Sequence, residues 1–514
     1  MNGTGRYGVD FFGGGVWGYY PDSMLIRMPL TPSELKEVDF PDLVHAEKGL
    51  SGQELFAGTT ASSKLVFARF KHELDHLVRL LSTSVGLFAH QLDSQFLDQF
   101  RWIVDETEPS FFDGDSPLIA AHDLSDESLS STKSDRHAAI RLWYRSDSLR
   151  SGLFDAFESD SQYVAALTML NWFRDGQTTV EIEATWPPTP KFGSDRLPTT
   201  ITGRNLLEFF AVLKEMDYSV ILSDQEQPWQ DLLLDEDYNA VIRLWSLAFP
   251  EANLWDVSQE GRLESDVALF VRRAYPMELY ACLDVALWPP LVPTGVMEGA
   301  RSWSWNDISP GHRFVRICEW LQSNKFPLSR ISGGDRNEKF TEFQELVCQN
   351  FGWPTPTQVL DVWLADNEKK LRGEERELCR LMSISFERAG HSRLAMVDRL
   401  LRKRLESPCD FVIGNLTEPQ VGVSHLGLVT RRNDGKFMIT ESEKANWDIS
   451  PSLLRVMTML GRFLLQGKNY KGDHPSDFDD MLVTEAAKIY SLLLHRNAAY
   501  FPNWLKRAFK PSLE

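Results

Sequence analysis

From Ala61 to Leu81 the sequence has the spacing of a helix. Val66, Phe70, Leu74, Leu77 and Leu81 recur at intervals of four, four, three and four, which lines one helix face with apolar side chains. Ser62 or Ser63 is placed to cap its start, and Gly86 to end it or to mark a break before a second amphipathic stretch, Leu87 to Val104. Leu65, His72, His76 and Leu80 occupy an adjacent face. His72 and His76 lie one turn apart, so their imidazoles project from the same side. The apolar face can anchor the helix in a core while the histidine face lines a cleft.

Two imidazole nitrogens in that geometry can reach one Zn²⁺ at about 2.0–2.1 Å each. Glu73 stands about a quarter turn round the axis. It is too far round to share the ion with its neighbour but is placed to touch a water on it, where a carboxylate acts as general base. Asp75, between the histidines, is expected to be solvated, with support of the metal-binding histidines as the alternative. The run Lys71-His72-Glu73-Leu74-Asp75-His76-Leu77 thus contains His-Glu-x-x-His, and in this motif the chain resembles the zincin metallopeptidases. The Ser/Thr-rich turn that follows, Leu81 to Gly86, is similar to that in uncharacterised bacterial proteins carrying the motif, and assigns no substrate.

The third ligand separates the zincin groups. A three-histidine site would need Gly at position 79 and His at 82, where this chain has Arg79 and Ser82. It therefore resembles the gluzincin type, in which a Glu from a later helix completes the site. Glu208 is the first candidate. It sits within Thr202-Gly203-Arg204-Asn205-Leu206-Leu207-Glu208-Phe209-Phe210-Ala211-Val212-Leu213, a run apolar on almost every side, which predicts a buried helix capped by Thr202. A carboxylate there is costly unless a cation meets it. Glu215, Glu278 and Asp284 are alternatives; for Glu278 the competing expectation is a salt bridge to Arg272 or Arg273. A di-iron carboxylate site would need a second Glu-x-x-His, which the chain lacks. His90 is too far along the helix to be a ligand, and His122 and His137 fall in an acidic, surface-exposed stretch. Tyr19, Tyr20 and Tyr280 are candidate oxyanion donors. Leu401-Arg402-Lys403-Arg404 reads as a solvated basic face.

The rest of the chain bounds these expectations. A net charge of −19 argues against nucleic-acid and anionic-membrane partners, which favour basic surfaces. The five cysteines are dispersed, without Cys-x-x-Cys, so buried reduced thiols are expected rather than disulfides or a cysteine zinc site. No signal sequence or membrane-length apolar run is present, and a cytoplasmic location follows as the expectation.

Residues 1–60 read as an aromatic and glycine-rich arm, and 105–137 as an acidic loop. Helices are expected near 163–174, 202–213, 229–249, 265–274 and 276–288, with a strand at 178–186. A Pro/Gly/Trp-rich stretch, 290–312, reads as a boundary, and 312–323, 337–351, 357–371, 374–405, 451–466 and 476–495 as further helices. Asn433-Asp434-Gly435 between two β-type runs predicts a hairpin near 420–440.

The expected fold is α+β and predominantly α-helical. A zincin-like core spans 61–290 and a helical region with one hairpin spans 291–514. The resemblance implies a zinc-dependent hydrolase, a metallopeptidase acting on peptide or protein substrates, with Zn²⁺ on His72, His76 and Glu208 and with Glu73 catalytic. The alternative is a non-catalytic zincin-like binding protein, open to a protein partner, or a structural zinc site.

Overall fold

The computed structural model describes residues 18–20, 25–27, 61–92, 134–172, 191–192, 195–196, 201–219, 240–242, 244–245, 248, 276–298, 303–324, 334–373, 393–413, 421–424, 427–431 and 437–441. The chain is predominantly helical over these residues. Its principal helices are α1 (Ala61–Ser82), α2 (Ser134–Phe154), α3 (Asp160–Trp172), α4 (Gly203–Ser219), α5 (Pro276–Leu287), α6 (Trp305–Ile308), α7 (Pro310–Asn324), α8 (Arg336–Phe351), α9 (Pro356–Arg372), α10 (Arg393–Glu406) and α11 (Pro408–Ile413).

Helix α1 starts where its periodicity places it, but Ser62 and Ser63 lie inside its first turn rather than before it. It stops at Ser82, four residues before Gly86, because two hydroxyls turn back onto its carbonyls. Ser82 Oγ donates to Val78 O at 2.6 Å and Thr83 Oγ1 to Arg79 O at 2.8 Å, a bonding pattern that competes with helix continuation. Thr83 Oγ1 also accepts from Gly86 N at 3.3 Å and so caps a second helical stretch, 84–92. Gly86 belongs to that stretch. A Cβ there would fall 2.2 Å from the Leu80 carbonyl oxygen, so glycine is required by the close approach of the two segments.

The start of α4 is fixed by a reciprocal cap of the capping-box kind. Thr202 Oγ1 accepts from Asn205 N at 3.3 Å, while Asn205 Oδ1 accepts from Thr202 N at 2.9 Å. As its composition predicts, α4 is buried from Gly203 to Lys214 apart from partial exposure at Arg204 and Glu208. It packs along α1, which also touches α10 and strands β1 and β2. Helix α1 is consequently buried on every side from Phe70 to Arg79, and its polar face is covered as fully as its apolar one.

A five-stranded sheet runs in the order β1 (Gly18–Tyr20), β2 (Leu25–Arg27), β7 (Val421–Ser424), β8 (Gly427–Arg431), β9 (Phe437–Glu441). The β2–β7 pair is parallel, with Ile26 opposite Gly422, and the others are antiparallel. The expected hairpin is thus β8 and β9, with Arg431 opposite Phe437. The run before it is not one strand, because Ser424 at the end of β7 pairs with Gly427 at the start of β8. The arm 1–60 supplies two strands to this sheet. Two small pairs complete the strands: β3 (Lys191–Phe192) with β4 (Asp195–Arg196), and β5 (Leu291–Val292) with β6 (Gly295–Val296).

In the proline- and tryptophan-rich stretch 290–312, Leu291, Val292, Val296, Trp303, Trp305 and Ile308 are buried. The stretch holds β5, β6 and α6, with Trp303 Nε1 donating to Met297 O at 2.7 Å and Trp363 Nε1 to Leu291 O at 2.8 Å. One hydrophobic cluster runs from Phe70 in α1 to Val412 in α11 and draws on residues from both sides of this stretch. Helix α2 begins at Ser134, inside the stretch read as an acidic loop, and the helix expected at 163–174 is α3. The expected strand at 178–186, the helices at 265–274, 451–466 and 476–495, the loop over 105–133 and the hairpin turn at 432–436 lie outside the described residues. Cys282, Cys318, Cys348 and Cys409 are free and buried, as expected. Burial pushes the Cys282, Cys318 and Cys348 thiols up, that of Cys348 to about 12, which keeps them protonated. Among the described residues, no helix is long and apolar enough to cross a membrane.

Candidate metal centre

Helices α1 and α4 bring His72, His76 and Glu208 together. His72 Nε2 and His76 Nε2 are 3.2 Å apart. Glu208 Oε2 lies 3.5 Å from the first and 3.3 Å from the second. The imidazoles stand nearly perpendicular, at 79°, with their ring centroids 4.9 Å apart. Three electron-pair donors therefore face one another at the corners of a near-equilateral triangle.

Such an arrangement is unfavourable unless something positive lies among the three. Four ligands at about 2.0–2.1 Å in tetrahedral geometry are separated by about 3.3–3.4 Å, and the three measured separations bracket that length. The centre of the triangle is about 1.9 Å from each corner, within reach of a metal bond to all three. The three residues can hold a metal ion. They are the single such group of His, Cys, Asp and Glu among the described residues.

The electrostatics agree with the geometry. Burial works against ionisation of Glu208, but the His76 charge and hydrogen bonds from both rings outweigh it and hold the carboxyl well below the usual carboxylate range. Burial likewise pulls His76 down. The Glu208 charge and hydrogen bond overcome that pull, and with a smaller contribution from Glu73 they leave His76 above its ordinary value, despite opposition from His72. The histidine–carboxylate contacts thus favour positive charge beside Glu208. The histidine side chains are 5% and 11% exposed and that of Glu208 25%, so the centre opens towards solvent on the Glu208 side. Glu73 is buried next to the ligand pair and is not one of the converging donors.

Two of the alternative third ligands, Asp284 and Glu278, lie elsewhere. Asp284 is fully buried in an ion pair with Arg404, whose Nη1 donates at 2.8 Å and whose Nη2 forms a second, short contact, while Gln344 Nε2 donates to the same carboxylate at 2.7 Å. Glu278, in the first turn of α5, has its carboxyl raised by burial and takes no part in the triangle. The side chain of Glu215 is outside the described residues. Tyr280 packs its ring 5.6 Å from Phe210 and beneath the Lys214 ammonium.

One charged residue of α1 departs from expectation. Asp75 is buried rather than solvated, held by Arg79 Nε and Nη2, each at 3.2 Å. Arg79 is wholly buried, donates from Nη2 to Val412 O at 2.7 Å and stacks 4.2 Å over the Phe210 ring. The reason is the cover over α1: α4, α10 and α11 close over a face that would be wet on an isolated helix. Arg404 likewise leaves the solvated basic face assigned to 401–404, although Arg402 remains on it. An i,i+4 acid–base pair such as Asp75–Arg79 was the available signal, but it looks the same on wet and dry helices.

No family model matches the chain, and no curated protein or solved structure matches it.

Proposed function

We propose that the centre holds Zn²⁺ and that the protein is a zinc-dependent hydrolase of amide bonds, a metallopeptidase of gluzincin type. The supporting observation is the His72–His76–Glu208 triangle, whose edges bracket the ligand separations of tetrahedral zinc. Imidazole and carboxylate suit zinc as a ligand set, and three protein ligands leave a fourth position for water or substrate. Bound zinc would supply Lewis acidity, polarising a carbonyl and bringing the pKa of a water to about 7.

The chain's own residues do the rest. His72 and His76 present neutral Nε2 lone pairs, and Glu208 compensates the ion's charge and sets the open side. Glu73 is the general base. Its carboxylate takes the proton of the attacking water as the oxygen–carbon bond forms. It returns that proton to the amide nitrogen as the carbon–nitrogen bond breaks, ending as it began. The apolar surroundings of α1 keep this exchange away from bulk water.

A structural metal site is the second reading, favoured by the depth at which α1 is buried and by the low exposure of Glu73. Glu73→Gln separates the two. Zinc-loaded protein is incubated with a complex peptide pool, and new peptide termini are counted by mass spectrometry. The hydrolase reading expects cleavage by the wild type and a loss of about 10²–10⁴-fold in the variant, with zinc retained. Full zinc occupancy without cleavage by the wild type would leave the structural reading.

A further inference from the structure

The two helices that carry the ligands are tied to the same short piece of backbone. On α1, Arg79 follows His76 by three residues and donates to Val412 O at 2.7 Å. On α4, Lys214 follows Glu208 by six residues and its Nζ donates to Ile413 O in a short contact. Val412 and Ile413 are the last two residues of α11. Their carbonyls are among those a helix leaves without intrahelical partners, and they carry the negative end of its dipole. Both cations are buried, Arg79 completely and Lys214 to 4% exposure.

The tie is cross-braced. The Arg79 guanidinium lies over Phe210 of α4, Phe210 packs against Tyr280 of α5, and the Lys214 ammonium lies over that same Tyr280 ring at 5.4 Å. Asp75, one residue before His76, accepts from Arg79 Nε and from the same Nη2 that donates to Val412 O. The arrangement begins one turn beyond the metal-facing atoms on α1 and continues to two turns beyond them on α4.

We propose that Arg79 and Lys214 are positioning residues for the metal centre. By gripping the consecutive carbonyls of Val412 and Ile413, they fix how far Glu208 stands from His72 and His76. The end of α11, some two hundred residues beyond α4 in the chain, is then part of the frame that sets the coordination geometry. The inference rests on the reading of the triangle as a metal site. It adds that the spacing of the triangle is imposed from its far side, by residues that never touch the ion.

The test uses full-length protein. Zinc affinity is measured by competition with a chromophoric chelator, and ligand geometry by the visible d–d absorption of the Co²⁺-loaded protein. Lys214→Met is expected to keep its far-UV circular dichroism while zinc affinity falls by roughly 10–100-fold, the range for partners that orient metal ligands. Its cobalt spectrum should move towards that of Glu208→Ala, and Lys214→Arg, which keeps a donor for Ile413 O, should restore both. Lys214→Gln is read in the same way if the methionine variant does not fold. Zinc affinity and a cobalt spectrum unchanged from wild type in either folded variant would overturn the positioning role. Failure of the underlying reading gives a different result, in which wild-type protein itself takes up neither ion.

Discussion

His72, His76 and Glu208 were legible as residues before they were legible as a site. Histidine spacing put two imidazoles on one helix face, and a carboxylate inside an apolar run needed a positive partner. The structure joins the two observations in a triangle of 3.2, 3.3 and 3.5 Å. Asp75 and Arg79 were not legible, since what buries them is packing between segments far apart in sequence. Their burial has a measurable consequence. Asp75→Ala strands the buried Arg79 without its carboxylate and should cost about 3–5 kcal/mol in denaturant unfolding of the metal-free protein. A solvated Asp75 would cost less than about 0.5 kcal/mol.

Among the elements, α1 and α4 follow from periodicity and capping residues, and so do α5, α7, α8 and α9 to within two or three residues at either end. The break after α1 does not. Sequence placed it at Gly86, the residue most apt to end a helix. The hydroxyls of Ser82 and Thr83 end it first, and Gly86 serves close packing instead. The two accounts predict opposite signs for Gly86→Ala. In an unobstructed helical stretch alanine would stabilise by up to about 1 kcal/mol. Here the new Cβ meets the backbone of Leu80, and the substitution should destabilise by about 1–3 kcal/mol on thermal or denaturant unfolding. The sheet was half visible. The strands of its hairpin carry β-type residues, but the parallel pairing of β2 with β7 joins opposite ends of the chain, and no local pattern encodes such a pairing.

At the scale of the molecule, one hydrophobic cluster draws on residues from Phe70 to Val412, and buried charges tie distant helices within it. His90 sits beside two of the molecule's helices. It follows α1 and lies near Arg393 of α10 and Lys370 of α9. Burial, reinforced by those two cations, holds its imidazole well below its ordinary value. The unfolded chain therefore takes up a proton near pH 6.5 that the folded chain refuses. Stability is complete above that pH and declines as pH falls below it. Urea unfolding between pH 7.5 and 5.5 should show this decline in a His72→Ala, His76→Ala background, where the histidines of the metal centre no longer titrate. His90→Gln should flatten it.

The central claim is that α1 and α4 together hold one zinc ion. It is tested most directly by metal analysis of purified full-length protein after equilibration with zinc and removal of the excess. One zinc per chain is expected for the wild type. A loss of at least about a hundredfold in affinity is expected on replacing any of His72, His76 or Glu208 by alanine, with the fold retained. A wild-type protein that binds no zinc, or a His72→Ala, His76→Ala protein that binds as much as the wild type, would contradict it.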